Sequence, residues 1–393
     1  MPDKSVIYIG PFSFPNGGAA ARRILGNAKS IQEAGFEVKV ACGQMSKVDK
    51  HSEWFEDIEV ISLNERTAEH LPRLLKHFAY LTMGKKTVAW LNSLQSKPHA
   101  VVLYSGYSPY LLHLLSWCRR HSVPLVFDAV EWYHPASFVG WVSPYQLNIE
   151  LAMRVLLPRA GHVISISDYL HHYYLARGCQ SLVVPPTLDV LSTTARTEGR
   201  NAQRPLELVY AGSPGRKDLL NNIIEAVLHL RSAGHAVHLS VAGIEQVDAG
   251  RYPAVYSRSA REVAVGVNFV GILSHDASMD LVRHADFSLL LRRDARYSRA
   301  GFPTKFVESL AVGTPVIANL TSDLHQYLTD GETGFTCAGP APEDMVSALT
   351  RALILTIEQH STMRKRCREL ACEAFDYRAF AAPFSDFLNF VKA

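Results

Sequence analysis

The sequence predicts an α/β protein built from two doubly wound parallel-sheet domains, and three observations carry that reading. Each half opens with the same order of elements: apolar strand, glycine-containing loop, amphipathic helix, glycine stop, second strand. The helix-to-strand junctions are alike, EAGFEVKVACG at 33–43 and SAGHAVHLSVAG at 232–243. Between the halves, residues 190–205 (VLSTTARTEGRNAQRP) are polar and lack apolar periodicity, as an interdomain connection would. The 393-residue chain also exceeds the size at which a single core stops growing. The expected division is 1–195, 196–374, and a C-terminal helix at 375–393 that crosses back to the first domain.

Taken in order, SVIYIG at 5–10 is a strand, PFSFPNGG a loop, 19–34 a helix stopped by Gly35, and FEVKVACG the next strand. Further first-half strands are expected at 100–106, 124–130, 161–167 and 181–186. The second half repeats the pattern with LELVYAG at 206–212, the loop SPGRKD, a helix at 219–233 stopped by Gly234, and HAVHLSVAG. Its later strands are expected at 267–272, 286–292 and 314–319. Nearly continuous Val/Ile/Leu runs suit strands buried on both faces. Such Rossmann-like sheets bind ligands at the carboxyl ends of their strands, so the site is expected in a cleft between the halves.

Composition excludes several classes. A net charge of +3 is too mild for a nucleic-acid partner. The start MPDKSVIYIG has no small-residue cleavage site, and no run of 18 apolar residues reads as a membrane span. Six scattered cysteines (Cys42, Cys118, Cys179, Cys337, Cys367, Cys372) lack zinc spacing and read as reduced thiols of a cytoplasmic protein.

The most informative stretch is 292–319, RRDARYSRAGFPTKFVESLAVGTPVIAN. Gly301 permits a turn, Pro303 fits the first position of a helix, and Phe306, Val307, Leu310 and Ala311 form its apolar stripe. Gly313 stops the helix and Pro315 prevents its continuation. The backbone amides of 301–305, namely Gly301, Phe302, Thr304 and Lys305 around Pro303, could therefore hold a diphosphate. Glu308 lies off the stripe, one turn in. Its carboxylate could accept hydrogen bonds from vicinal ribose hydroxyls, or it could be a solvated Glu favoured by the helix dipole.

PTKFVESLAVGTPVIAN, followed by DGETGF at 330–335, resembles the donor-binding core of retaining GT-B glycosyltransferases of the family-4 type, of the bacterial surface-polysaccharide kind. SVIYIGPFSFPNGGAAARRILGNAKSIQEAGFEVKV resembles the family's N-terminal pattern, and VYAGSPGRKDLLNNIIEAV its pyrophosphate-binding segment. HVISISDYLHHYYLARG and VVPPTLD resemble the end of its first domain. The resemblance implies a GT-B fold, with two Rossmann-like domains facing each other across a cleft. It implies that Glu308 binds the nucleotide ribose, that Lys217 binds the pyrophosphate, and that the loop with Gly17 and Gly18 approaches the donor phosphates. Ser213 stands where many members have Arg, so Arg216 is the expected compensation. Gly243 would lie near the base.

Two departures follow. The family's second glutamate, eight positions before Glu308, is Ala300 here, so sugar contacts fall to backbone amides, Arg299, Arg292 or Arg293. Val130 stands where a His is common, and the following Glu131 is a candidate either as acceptor-hydroxyl base or as sugar anchor.

The implied activity is transfer of a sugar, with retention, from a nucleotide-sugar donor to a glycan or lipid-linked saccharide acceptor. The departing diphosphate would be stabilised by Lys217, Arg216 and the helix end. No DxD pair is present, so neither a metal nor any other cofactor is expected. The acceptor is expected on the first domain, near the aromatic stretch 131–145. The amphipathic stretch 71–94, with Lys76, His77, Lys85 and Lys86 beside Phe78, Tyr80 and Trp90, could alternatively rest on an anionic bilayer or simply pack on the core. A nicotinamide oxidoreductase would need GxGxxG and an acidic residue after the second strand, where this chain has NGGAAA and Cys42. A phosphorylase or epimerase of the same fold, and a catalytically silent partner subunit, remain as rivals.

Overall fold

The computed structural model describes residues 4–46, 51–65, 81–104, 108–133, 143–201, 203–215 and 217–391. It divides into two compact units, Met1–Leu188 with Tyr377–Ala393, and Asp189–Asp376.

The first unit is built on β1 (Ser5–Gly10), β2 (Glu37–Cys42), β3 (His51–Phe55), β4 (Ile58–Ser62), β5 (Ala100–Tyr104), β6 (Leu125–Ala129), β7 (His162–Ser165) and β8 (Gln180–Val183). They form one sheet in the order β3-β4-β2-β1-β5-β6-β7-β8. Neighbours are parallel except the β3–β4 hairpin. That hairpin escaped the sequence reading because its strands are short and rich in polar residues. Helix α1 (Ala19–Glu33) turns Ala21, Ile24, Ala28 and Ile31 onto Val6 and Tyr8 of the sheet. Helix α2 (Ser108–His121) follows β5, and α3 (Pro144–Leu151) is capped by the Ser143 hydroxyl, which accepts from the Gln146 amide at 3.2 Å. The C-terminal helix Ala381–Phe390 sends Phe384 and Leu388, with Val391 beyond it, into this same core.

The second unit holds six parallel strands: β9 (Leu206–Ala211), β10 (Val237–Ala242), β11 (Val267–Gly271), β12 (Phe287–Leu290), β13 (Val316–Asn319) and β14 (Gly334–Cys337). Their order is β11-β10-β9-β12-β13-β14. Four of its helices matter below: α4 (Leu220–Ser232), α5 (Arg296–Ala300), α6 (Thr304–Ala311) and α7 (Ile357–Ala374). Helix α6 forms because Phe306, Val307, Leu310 and Ala311 are buried together. It ends where Gly313 takes φ +75, with Gly313 N–H to Leu310 O at 2.9 Å and Thr314 N–H to Ser309 O at 2.8 Å, a Schellman ending. Pro303 sits at its N-cap rather than its first position, because the short helix α5 precedes it closely.

Strand order reverses between β1 and β5 in the first sheet and between β9 and β12 in the second. Ligands of doubly wound sheets bind beyond the carboxyl ends of strands at such reversals. The segment 190–205, read as an interdomain connection, begins just after the division at Leu188 and is strapped onto the second unit. Arg196 N–H donates to Val312 O at 3.0 Å, and the buried Arg200 donates its N–H to His360 Nδ1 at 2.9 Å. Such anchors run through backbone groups and leave no apolar period in the sequence.

Candidate functional site

At the β9–β12 reversal four side chains far apart in sequence converge. Tyr210 ends β9 fully buried and donates its hydroxyl to Asp218 Oδ2 at 2.7 Å. Asp218, just before α4, also accepts from Arg292 Nε at 2.8 Å and from the Lys305 ammonium. Lys305 Nζ further bonds the Tyr210 hydroxyl at 2.6 Å and lies 3.9 Å from its ring centroid. Asn319 clamps the backbone of Arg292, accepting its N–H at 2.9 Å and donating to its carbonyl at 2.7 Å.

Two cations thus share one carboxylate, which leaves one unit of positive charge at a strand end and a helix N-terminus. Burial works to raise the Asp218 carboxyl, but Lys305 and Arg292 hold it below the usual carboxylate range. Burial lowers the Lys305 ammonium below the usual lysine range despite Asp218, and Arg292 adds to that fall. The turn after β9 explains its glycine. A Cβ on Gly212, which has φ +119, would come within 2.7 Å of Lys305 Cε. Gly243 packs on the same turn, where a Cβ would meet Gly212 C at 2.7 Å.

Of the residues expected to bind a diphosphate, Ser213 is exposed, Lys217 is partly buried in the loop before α4, and Arg216 lies outside the described residues. The helix end is narrower than expected, because Gly301 N–H is spent on Tyr297 O at 3.2 Å. The first amides of α6, on Thr304 and Lys305, have no partner inside the helix. Phe302 and Pro303 are buried, and Glu308 is half-buried one turn along α6. Two arginines expected to reach the sugar already have carboxylate partners. Arg292 is buried and committed to Asp218, and Arg299 forms a two-point pair with Asp294 at 2.7 and 3.0 Å. Ala300 is fully buried, while Arg293 is exposed. Tyr210, Asp218 and Asn319 were missed. Their only sequence signal is a polar residue at the end of an apolar strand or just before a helix.

At the β1–β5 reversal the first unit has a pocket of about 370 Å³. Its walls are the loop after β1 (Ser13, Asn16, Gly17), the segment leaving β6 (Val130, Glu131, Tyr133), and α3 with the π-helical turn Ala152–Leu156 that continues it. Gly17 is required there, since a Cβ would meet Ser13 O at 1.9 Å. Gly18 caps α1, its carbonyl accepting from Arg22 N–H at 3.1 Å. Behind the pocket Arg23 is 3% exposed and bonds Asp128 Oδ1 at 2.6 Å and Val184 O at 2.9 Å. Tyr8 donates to the same carboxylate. Trp132 is buried with its indole N–H on Glu150 at 3.2 Å, and residues 134–142 of the aromatic stretch lie outside the described ones. Of the stretch 71–94, residues 71–80, and so Lys76, His77, Phe78 and Tyr80, lie outside them too. In its described part Trp90 is buried and Lys86 donates to Asn64 O at 2.9 Å. Among the described residues no helix is long and apolar enough to cross a membrane.

Two parallel-sheet units, one with a cationic strand-end site and the other with a strand-end pocket, define a GT-B type protein. The family described as glycosyl transferases group 1 matches residues 192–371, and the glycosyl transferase 4-like domain matches 18–187. Each half of the chain therefore matches a glycosyltransferase family model. The GDP-mannose-dependent alpha-(1-6)-phosphatidylinositol dimannoside mannosyltransferase of Mycobacterium tuberculosis (strain ATCC 25177 / H37Ra) is 29% identical over 178 residues, 44% of this chain and 42% of that protein. The chain therefore spans less than half the length of that curated relative. The sucrose-phosphate synthase structure from Thermosynechococcus elongatus superposes with TM-score 0.73 at 16% identity, covering 98% of both chains. Anabaena HepE in complex with UDP-glucose superposes with TM-score 0.64 at 15% identity, covering 98% of this chain and 99% of that one.

Proposed function

We propose that the protein is a retaining glycosyltransferase that takes a hexosyl group from a nucleoside-diphosphate sugar, without a metal ion, and delivers it to a hydroxyl of a glycan or lipid-linked glycan. The observation that carries this is the net positive charge of Lys305 and Arg292 on Asp218, set beneath the amino end of α6 with Glu308 one turn along it. A diphosphate at that helix end meets open backbone amides and a preorganised cation. Glu308 accepts from the ribose hydroxyls. Lys217, on the loop before α4, meets the phosphates, and Arg216 precedes it in the sequence.

In the reaction the bond from the anomeric carbon to the diphosphate oxygen breaks, and a bond from that carbon to the acceptor oxygen forms on the same face. The acceptor proton passes to the departing diphosphate oxygen. The protein's main contribution is to stabilise charge on the leaving group, a task for fixed donors rather than for a strong base. The names of the GDP-mannose-dependent relative and of the UDP-glucose complex support a nucleotide-sugar donor. Glu131 faces the first unit's pocket, where the acceptor is expected, and orients the acceptor hydroxyl.

Glu308→Ala tests the donor assignment. It removes charge-assisted hydrogen bonds worth roughly 1.5–3 kcal/mol, so donor affinity should fall about 10- to 100-fold by calorimetry. Melting should be unchanged, because Glu308 is off the buried stripe. Undiminished affinity in the folded variant would remove the assignment.

A further inference from the structure

We infer that the second unit selects its donor by the base, that Glu245 is the residue that reads it, and that the base it takes is guanine; this rests on the nucleotide-sugar reading above. Three adjacent strands, β9, β10 and β11, end in glycines that adopt the left-handed region: Gly212 at φ +119, Gly243 at φ +93 and Gly271 at φ +79. The ladder of hydrogen bonds runs on through them. Gly212 N–H donates to Ala242 O at 3.0 Å, and Gly243 N–H donates to Gly271 O at 2.8 Å. Side chains have no room at the first two, as the close approach of Gly212 to Lys305 and of Gly243 to Gly212 shows.

The result is a strip of bare backbone that starts beside Lys305 and crosses two strand spacings, about 10 Å. Glycine is the residue that lets backbone approach a ligand this closely. With the diphosphate at the amino end of α6, a ribose and a flat base can lie along the strip.

Glu245 stands at the far end. Its Oε1 accepts from Ile272 N–H at 3.2 Å, and its Oε2 lies against Gly271, where a Cβ would come within 3.1 Å of it. That hydrogen bond holds the carboxylate at the strand end and occupies the backbone donor that follows Gly271. A carboxylate has about four acceptor positions, and Ile272 takes one of them. A base arriving here therefore meets acceptors where bare backbone would have offered a donor. The Ile272 side chain, 75% exposed, gives it an apolar flank.

The bases differ in what they present to such an edge. Guanine sets two donors side by side, N1–H and the N2 amino group, and a carboxylate accepts both at once, as it does from arginine. Uracil has one N–H flanked by two carbonyl oxygens. Adenine and cytosine each place an amino group beside a ring-nitrogen lone pair. In those three an acceptor faces the carboxylate, and the pair leaves both groups unsatisfied.

The test is calorimetric, on the full chain, with GDP, IDP, UDP, ADP and CDP as probes. GDP should bind at least tenfold more tightly than UDP, ADP and CDP. IDP, which lacks only the N2 amino group of guanine, should fall between GDP and UDP. Glu245→Gln keeps an oxygen for Ile272 N–H but turns the other acceptor into a donor, and should cut the GDP-to-UDP affinity ratio at least fivefold. Glu245→Ala, which returns Ile272 N–H to the base, should do the same. Glu245 is exposed, so both variants should melt as the wild type does. The inference is overturned if UDP, ADP or CDP binds as tightly as GDP, if IDP matches GDP, or if either variant keeps the wild-type ratio. Binding of UDP, ADP or CDP in preference to GDP sinks only this inference, whereas binding of none of the five sinks the reading of the second unit as a nucleotide-sugar site.

Discussion

At the scale of single residues, the arrangement turns on two cations held by one carboxylate. Breaking a buried ion pair by removing the anion leaves unpaired charge and costs about 3–5 kcal/mol, so Asp218 is a poor place to probe function alone. Lys305→Met is better, because Arg292 still pairs with Asp218 and a similar volume still fills the space beside Tyr210. We expect this variant to melt within a few degrees of the wild type and to bind nucleoside diphosphate at least tenfold more weakly by calorimetry. Undiminished binding would show that the positive charge serves only to hold the fold. The position of Glu308, one turn into α6 and off the buried stripe, was legible in the sequence because it depends only on local helical spacing. Tyr210 and Asp218 are eight residues apart, but Arg292 and Lys305 join them from 74 to 95 residues away, and spacing cannot reveal such pairs. For that reason the pairing of Arg292 Nε with Asp218 was not foreseen.

Among the elements, the parallel strands were readable because burial on both faces writes continuous Val/Ile/Leu runs. The β3–β4 hairpin and the short β14 carry no such run, and the segment 190–205 hides its docking in backbone hydrogen bonds. The last of these makes stability depend on pH. His360 of α7 is fully buried and neutral, accepting Arg200 N–H at Nδ1 and bonding Asp286 O through Nε2 at 3.0 Å. Burial first, then the nearby Arg364, lowers its imidazole to about 4. Between that value and the ordinary 6.5 the unfolded chain binds a proton that the folded chain refuses. This contribution is therefore complete above pH 6.5 and lost as pH falls toward 4, on the order of 3 kcal/mol in all and about 2 kcal/mol by pH 5. Urea titrations at pH 7 and pH 5 should show that loss in the wild type, and His360→Gln should reduce it. An equal pH dependence in the variant would place its origin elsewhere.

At the scale of the molecule, the chain returns to its beginning. Residues Tyr377–Ala393 group with the first unit, and Phe384, Leu388 and Val391 lie in its core. Burying side chains of this size contributes about 1.5–3 kcal/mol each, so removing residues 377–393 should cost the first unit roughly 5 kcal/mol or more. In thermal scans the truncated chain should show an early transition while nucleotide still raises a later one. Melting identical to that of the full chain would contradict the placement of this helix. The central claim is that the second unit holds a nucleoside-diphosphate sugar by charge already in place, with no metal. The most direct measurement is the melting temperature of the full chain in EDTA with UDP-, GDP-, ADP- and CMP-sugars. A ligand that binds only the folded state stabilises it by about 2.7 kcal/mol at a hundred times its Kd. The account predicts that at least one nucleoside-diphosphate sugar raises the melting temperature by several degrees in EDTA and that this shift shrinks in Glu308→Ala. No shift with any of them, or a shift that appears only when a divalent metal is restored, would contradict it.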